Sequence, residues 1–156
     1  MTTIRRRDNA STREETHSST ASVSGYQVQV VSPREAFDGV TESDDSLLVD
    51  IRTNAEWCLV GTPDVENAMF LEWRDLTGEL IPSFIEELRY WAWSDVSIYV
   101  LSRAGGARAA EAAEAARKAG FSRVFVVDGG FEGPLDSTGH RGERGWKADG
   151  LPWRQW

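Results

Sequence analysis

A short apolar run, a glycine-bearing turn and an alanine-rich stretch follow one another at residues 96–120. The run V-S-I-Y-V-L at 96–101 has the continuous apolarity of a strand buried on both faces. The stretch R-A-A-E-A-A-E-A-A-R-K-A-G at 108–120 is made of strong helix formers and ends on glycine, which suits a C-cap. Between them lies Ser102-Arg103-Ala104-Gly105-Gly106-Ala107-Arg108. Strand, glycine turn and helix in that order turn several backbone N–H groups toward one place. The helix start adds roughly half a positive charge there. Such a nest holds an anion, or lowers the pKa of a nucleophile set at its start. The residue in that position is Ser102.

The rest of the chain repeats the alternation. Residues 28–31 read as a first strand. Ser32-Pro33-Arg34-Glu35 is a helix start with serine as N-cap, proline next and glutamate closing a capping box. Residues 47–51 (L-L-V-D-I) form a second apolar run, and Thr53-Asn54-Ala55-Glu56 a second capping box. Residues 68–71 suit a short strand. Phe84, Leu88 and Trp91 have helical spacing within 83–91. Residues 124–127 read as the last strand, closed by Asp128-Gly129-Gly130. Alternating strands and helices predict an α/β fold: a central, mostly parallel sheet of about five strands between two helical layers. Ligands of such sheets sit at the carboxyl ends of the strands, where both the Ser102 turn and Asp50-Ile51-Arg52 fall.

Residues 1–25 are rich in Ser, Thr, Arg and Glu and nearly empty of large apolar side chains, so a disordered polar tail is expected there, with one domain over 26–156. Arg5-Arg6-Arg7 either meets an acidic partner or is simply solvated; with no apolar stretch after it, it is not a secretory signal. A length of 156 residues and 40% hydrophobic content suit one core. The net charge of −8 argues against general nucleic-acid binding. No apolar run nears the ~20 residues of a membrane span, and a cytoplasmic protein is expected. The single cysteine, Cys58, excludes an intramolecular disulfide, and no Cys/His spacing suits zinc; no cofactor is expected.

Several motifs, taken in order, resemble those of rhodanese domains. Leu47-Leu48-Val49-Asp50-Ile51-Arg52 with Glu56-Trp57 and Gly61 resembles the first rhodanese signature. Asp128-Gly129-Gly130-Phe131, Gly145-Trp146 and Gly150-Leu151-Pro152 resemble the second, and the turn from Ser102 resembles the active-site loop. The likeness spans residues 30–153. It implies a sulfurtransferase ancestry, in which a loop cysteine takes sulfane sulfur from thiosulfate or a persulfide and passes it on. It also implies that Asp50 orders the loop and that Arg52 forms structural ion pairs, with Glu56 as a partner. Trp57, Trp146 and Trp153 fall within the motifs and are expected to pack or cap the core.

The sequence departs from that family in two ways. Ser102 occupies the cysteine position, and a hydroxyl forms no stable persulfide and stays protonated. The second loop arginine also comes one residue later than usual, as Ser102-x5-Arg108, a length that resembles rhodanese-related phosphatases and arsenate reductases. Those enzymes need the cysteine too. Ser102 is thus an inert replacement, a hydroxyl put to other chemistry, or a serine introduced deliberately. Loss of sulfur transfer is expected.

The candidate catalytic set is Ser102, Arg103, Arg108 and Asp50, with Asp50 one of few available bases. Ala104, Gly105, Gly106, Ala107 and Arg52 form the candidate binding set. Arg103 and Arg108 suit an oxyanion, since the guanidinium fork is planar and permanently charged. The expected partners are a small anionic ligand or a sulfur donor or acceptor, and a protein if the domain is a docking module. Cys58 is expected to be a structural cysteine. Trp91 is expected in the core; Trp93 is left open between core and surface.

Overall fold

In the computed structural model, which describes residues 18–156, six strands form one sheet in the order β1-β2-β7-β6-β3-β5. The strands are β1 (Ser19–Val23), β2 (Tyr26–Val31), β3 (Ser46–Asp50), β5 (Ala68–Phe70), β6 (Ser97–Leu101) and β7 (Arg123–Val127). All neighbours run parallel except β1, which pairs antiparallel with β2. A second, two-stranded sheet joins β4 (Thr62–Pro63) to β8 (Trp153–Arg154). The helices are α1 (Pro33–Glu42), α2 (Asn54–Val60), α3 (Phe84–Trp91) and α4 (Ala107–Lys118).

The period-two alternation of the central strands divides the core into two layers. Val28, Val49, Ile98, Val100, Val124 and Val126 pack with α3 and α4 on one face. Val31, Leu48, Tyr99, Leu101 and Val127 pack with α1 and the segment carrying Phe131, Trp146 and Leu151 on the other. Five alanines of α4 are fully buried, and their small side chains bring that helix close to the sheet.

Both predicted capping boxes form. Ser32 Oγ accepts from the Glu35 amide at 3.1 Å while Glu35 accepts from the Ser32 amide at 2.7 Å. Thr53 and Glu56 repeat the exchange at the start of α2. The α/β architecture is thus the one expected from sequence, with a sixth strand added.

That strand corrects the expected tail. Residues 19–23 form β1 because Ser24 and Gly25 turn the chain with positive φ and lay it against β2. Residues 1–17, with the arginine triplet, lie outside the described residues. Trp91 is also corrected: it is 68% exposed. The buried face of α3 runs Phe84, Leu88, Ala92, and Ala92 occupies the place expected for the indole. Trp93 is exposed as well. Cys58 is not a core residue but lies exposed on α2. Of the three motif tryptophans, Trp146 is fully buried and donates its Nε1–H to the Pro152 carbonyl at 2.8 Å. Trp57 is half-buried, and Trp153 stands edge-on to Phe131.

Candidate active site

Strands β3, β6 and β7 end at Asp50, Leu101 and Val127, so their following residues meet at one edge of the sheet. Ser102, 2% exposed, follows β6 directly. Its Oγ accepts a hydrogen bond from the Gly105 amide at 2.9 Å, folding the loop around its own first side chain. Gly106 is the N-cap of α4 and supplies no side-chain cap. Among the described residues the first-turn amides of Ala107 and Arg108 therefore have neither a helical nor a side-chain acceptor.

The loop is held from behind by the turn after β7. Phe131 N–H donates to the Ser102 carbonyl at 2.8 Å, and the amides of Glu132 and Gly133 donate to the Arg103 carbonyl at 3.0 and 3.2 Å. The backbones approach so closely that side chains are excluded. At Gly130, whose φ is +59°, a Cβ would overlap the Ser102 carbonyl oxygen and lie 2.7 Å from the Ala104 nitrogen. At Gly105, φ +74°, it would lie 2.8 Å from the Gly129 nitrogen. These two glycines are required by the contact and by the left-handed backbone together.

The loop arginines are paired within the chain. Arg108 forms two hydrogen bonds to Glu56, at 3.0 and 3.1 Å. Arg103 bonds Glu132 at 2.9 Å. Partial burial pushes the Glu56 carboxyl up, but Arg108 and Thr53 outweigh it and hold its pKa below the ordinary carboxylate value. Arg74, across the depression, bonds Glu111 at 2.8 Å. An open depression of about 680 Å³ beside the loop is lined by Arg74, Arg103 and Arg108, by Glu56 and Glu132, and by Leu59 and Leu76; Ser102 and residues 104–107 do not line it.

Asp50 and Arg52 do not join this group through hydrogen bonds. Arg52 does not pair with Glu56, as the sequence suggested; Arg108 takes that carboxylate. Arg52 instead closes back on Asp50, with Nε–Oδ1 at 2.9 Å and Nη2–Oδ2 at 2.7 Å, and donates to the Gly61 carbonyl at 2.8 Å. Its guanidinium lies 4.0 Å from the centre of the Phe131 ring. The Asp50 carboxylate is fully buried and engaged by Arg52, and no hydrogen bond joins it to Ser102. His140 is exposed in the turn at 136–140, where Nδ1 meets Thr138 Oγ1 at 2.8 Å. Sequence reasoning missed Glu132 and Arg74, because their roles depend on tertiary approach of segments 29 and 37 residues from their partners.

Among the described residues no His/Cys/Asp/Glu cluster suits a metal ion. Nor is any helix among them long and apolar enough to cross a membrane.

Comparison with known proteins agrees with this fold. The family model of the rhodanese-like domain matches residues 33–135. An uncharacterised protein of Rickettsia rickettsii, the RP600 homologue, is 30% identical over 130 residues, covering 81% of this chain and 98% of its own. The crystal structure of Rv0390 from M. tuberculosis superposes with a TM-score of 0.73 at 37% identity, over 81% of this chain and 99% of that one. The polysulfide-sulfur transferase homodimer of Wolinella succinogenes shares the fold, with a TM-score of 0.60 at 23% identity, over 81% of this chain and 78% of that one.

Proposed function

The chain belongs to the rhodanese-like domain family, and from that premise we propose that it is an anion-holding member that does not transfer sulfur. The observation that carries this reading is the bond from the Gly105 amide to Ser102 Oγ. The loop is organised around the side chain of residue 102, and that side chain is a hydroxyl. Sulfur transfer needs a thiolate that attacks a sulfane sulfur, keeps it as a persulfide and releases the donor's remainder. A hydroxyl near neutral pH is protonated and makes no such adduct. Among the described residues no carboxylate or imidazole is a hydrogen-bond partner of Ser102, so none of them is placed to activate it. The uncapped first-turn amides of α4 and the helix dipole supply the attraction for an anion. Because Arg103 and Arg108 are already paired, they act as the frame of the cradle until an anion competes for them.

The test is thiosulfate-to-cyanide sulfur transfer by the native chain and by Ser102→Cys, measured together. Turnover only by the cysteine variant supports both parts of the reading. Turnover by neither overturns the anion cradle for thiosulfate. Turnover by the native chain overturns the assignment of Ser102 and turns attention to Cys58.

A second reading, a docking module, has its own observation. Tyr90, Trp91 and Trp93 are 79%, 68% and 81% exposed around the end of α3. They stand at the amino-terminal end of β6, the end opposite Ser102. A specific protein partner lost on the double substitution Trp91→Lys and Trp93→Lys supports it; a partner retained by that variant counts against it.

A further inference from the structure

The two edges of the main sheet are built differently. Strand β5, at one edge, has three residues and is flanked by Glu66 and Glu72. Short length and nearby charge are common means by which an edge strand refuses a further partner. Strand β1, at the other edge, has five residues and neither protection. Residues 18–32, which hold the whole β1–β2 hairpin, contain no Asp, Glu, Lys, Arg, His or Pro in a chain that is 27% charged. The pairing with β2 runs residue for residue from Ser19–Val30 to Val23–Tyr26, with no bulge to twist the edge away.

On its outer side β1 has no strand partner among the described residues. About half of an edge strand's N–H and C=O groups point outward, so β1 offers a regular row of donors and acceptors for another strand. Its side chains are only partly covered. Ala21 and Val23 are half-buried on the face that carries Val28, while Thr20 and Ser22 are exposed on the other, beside Gln29 and Gln27.

Charge and symmetry select the occupant. The chain carries a net charge of −8, so two copies repel over most of their surfaces. The hairpin is the longest charge-free stretch of the sequence, and there two copies approach without that cost. The strand S-T-A-S-V also matches itself when reversed about its middle residue, Ala21. Thr20 then lies opposite the partner's Ser22, a favourable cross-strand pair, and the half-buried face of Ala21 and Val23 continues from one hairpin to the other. A twofold contact of this kind closes on itself and leaves only the guarded β5 edges outside. We propose that β1 pairs antiparallel with β1 of a second copy about a twofold axis at Ala21, joining two six-stranded sheets into one. The proposal is independent of what the Ser102 loop does, since β2 and β7 lie between β1 and the strand that leads into that loop.

Sedimentation of the full chain over a range of concentrations is the test. A reversible dimer that grows in as concentration rises is expected. Two double substitutions then place charge at the exposed positions of β1. Thr20→Lys with Ser22→Lys sets lysine opposite lysine twice across the axis; Thr20→Lys with Ser22→Glu sets lysine opposite glutamate twice. The second variant is expected to keep the dimer, and the first to bind its copy more weakly than the second by about tenfold or more. The double lysine also reduces the net negative charge, so a general charge effect would move it the other way. Hydrogen exchange at the β1 amides, expected to be slower in concentrated than in dilute native protein, reads the same contact without any substitution. A chain that stays monomeric at every concentration, a dimer equally strong in both variants or lost in both, or β1 exchange that ignores concentration overturns the proposal.

Discussion

Asp50 and Arg52, two residues apart, form an ion pair from which solvent is wholly excluded, with Nη2 and Oδ2 2.7 Å apart and both side chains fully buried. The pair ties the end of β3 to the Gly61 carbonyl after α2 and stacks under Phe131. It therefore braces the end of β3 against the segments that follow α2 and β7.

Removing one partner of this pair leaves a buried charge uncompensated. Asp50→Ala and Arg52→Leu are each expected to destabilise the fold by about 3–5 kcal/mol, with the double substitution costing less than the sum. Urea unfolding of the three variants checks this. A loss under about 1 kcal/mol for either single variant would remove the bracing role.

The Glu56–Arg108 pair gives the site a pH dependence of known sign. The folded-state pKa of Glu56 is lowered, so its contribution is present above the ordinary carboxylate pKa and lost as pH falls through the lowered value. At neutral pH Glu56→Gln is expected to cost about 1–2 kcal/mol, allowing for partial exposure. Its stability should also fall less steeply than the native chain's as pH drops below the usual carboxylate range. Parallel acid titrations of the two proteins would sink the assignment.

Gly130 and Gly106 both belong to the loop region but are expected to respond to substitution by very different amounts. Gly130→Ala forces a Cβ into the Ser102 carbonyl at positive φ, and a loss of about 1–3 kcal/mol or more is expected, together with loss of turnover in a Ser102→Cys background. Gly106→Ala meets nothing within 4 Å at negative φ and should cost no more than about 1 kcal/mol, the penalty of alanine at an N-cap. Thermal unfolding and the sulfur-transfer assay separate the two.

The tryptophans divide in the same manner. Trp146→Phe leaves the Pro152 carbonyl without its indole donor and is expected to cost about 1–3 kcal/mol. Trp93→Lys, on an exposed side chain, should fall within about 0.5 kcal/mol of the native chain. Unfolding midpoints in urea check both.

What was legible in the sequence was what is encoded locally. The two capping boxes are written within four residues each and form as expected. The central strands announce themselves because both their faces are buried. The edge strand β1 was hidden because its S-T-A-S-V sequence has mostly exposed side chains and is ordered by pairing with β2 rather than by its own pattern. Strands β4 and β8 have two residues each, too few for any period. Trp91 misled because helical spacing identifies a face but not where that face runs out of core. In the site, Ser102 and the loop glycines could be named from their order along the chain. The partners of the arginines could not, because Glu56 and Glu132 reach them only through tertiary folding.

The turn after β7 has already bonded the Ser102 and Arg103 carbonyls and closed its glycines against the loop. On the anion-holding reading proposed above, an arriving ion would meet a finished receptor and order almost no backbone on docking. Selectivity among anions should then follow size, charge and hydration, with little entropic penalty to blur the differences. Exchanging the group at residue 102 changes the chemistry at the focus while the loop's scaffold is maintained from elsewhere. The same cradle can thus outlast a change of trade.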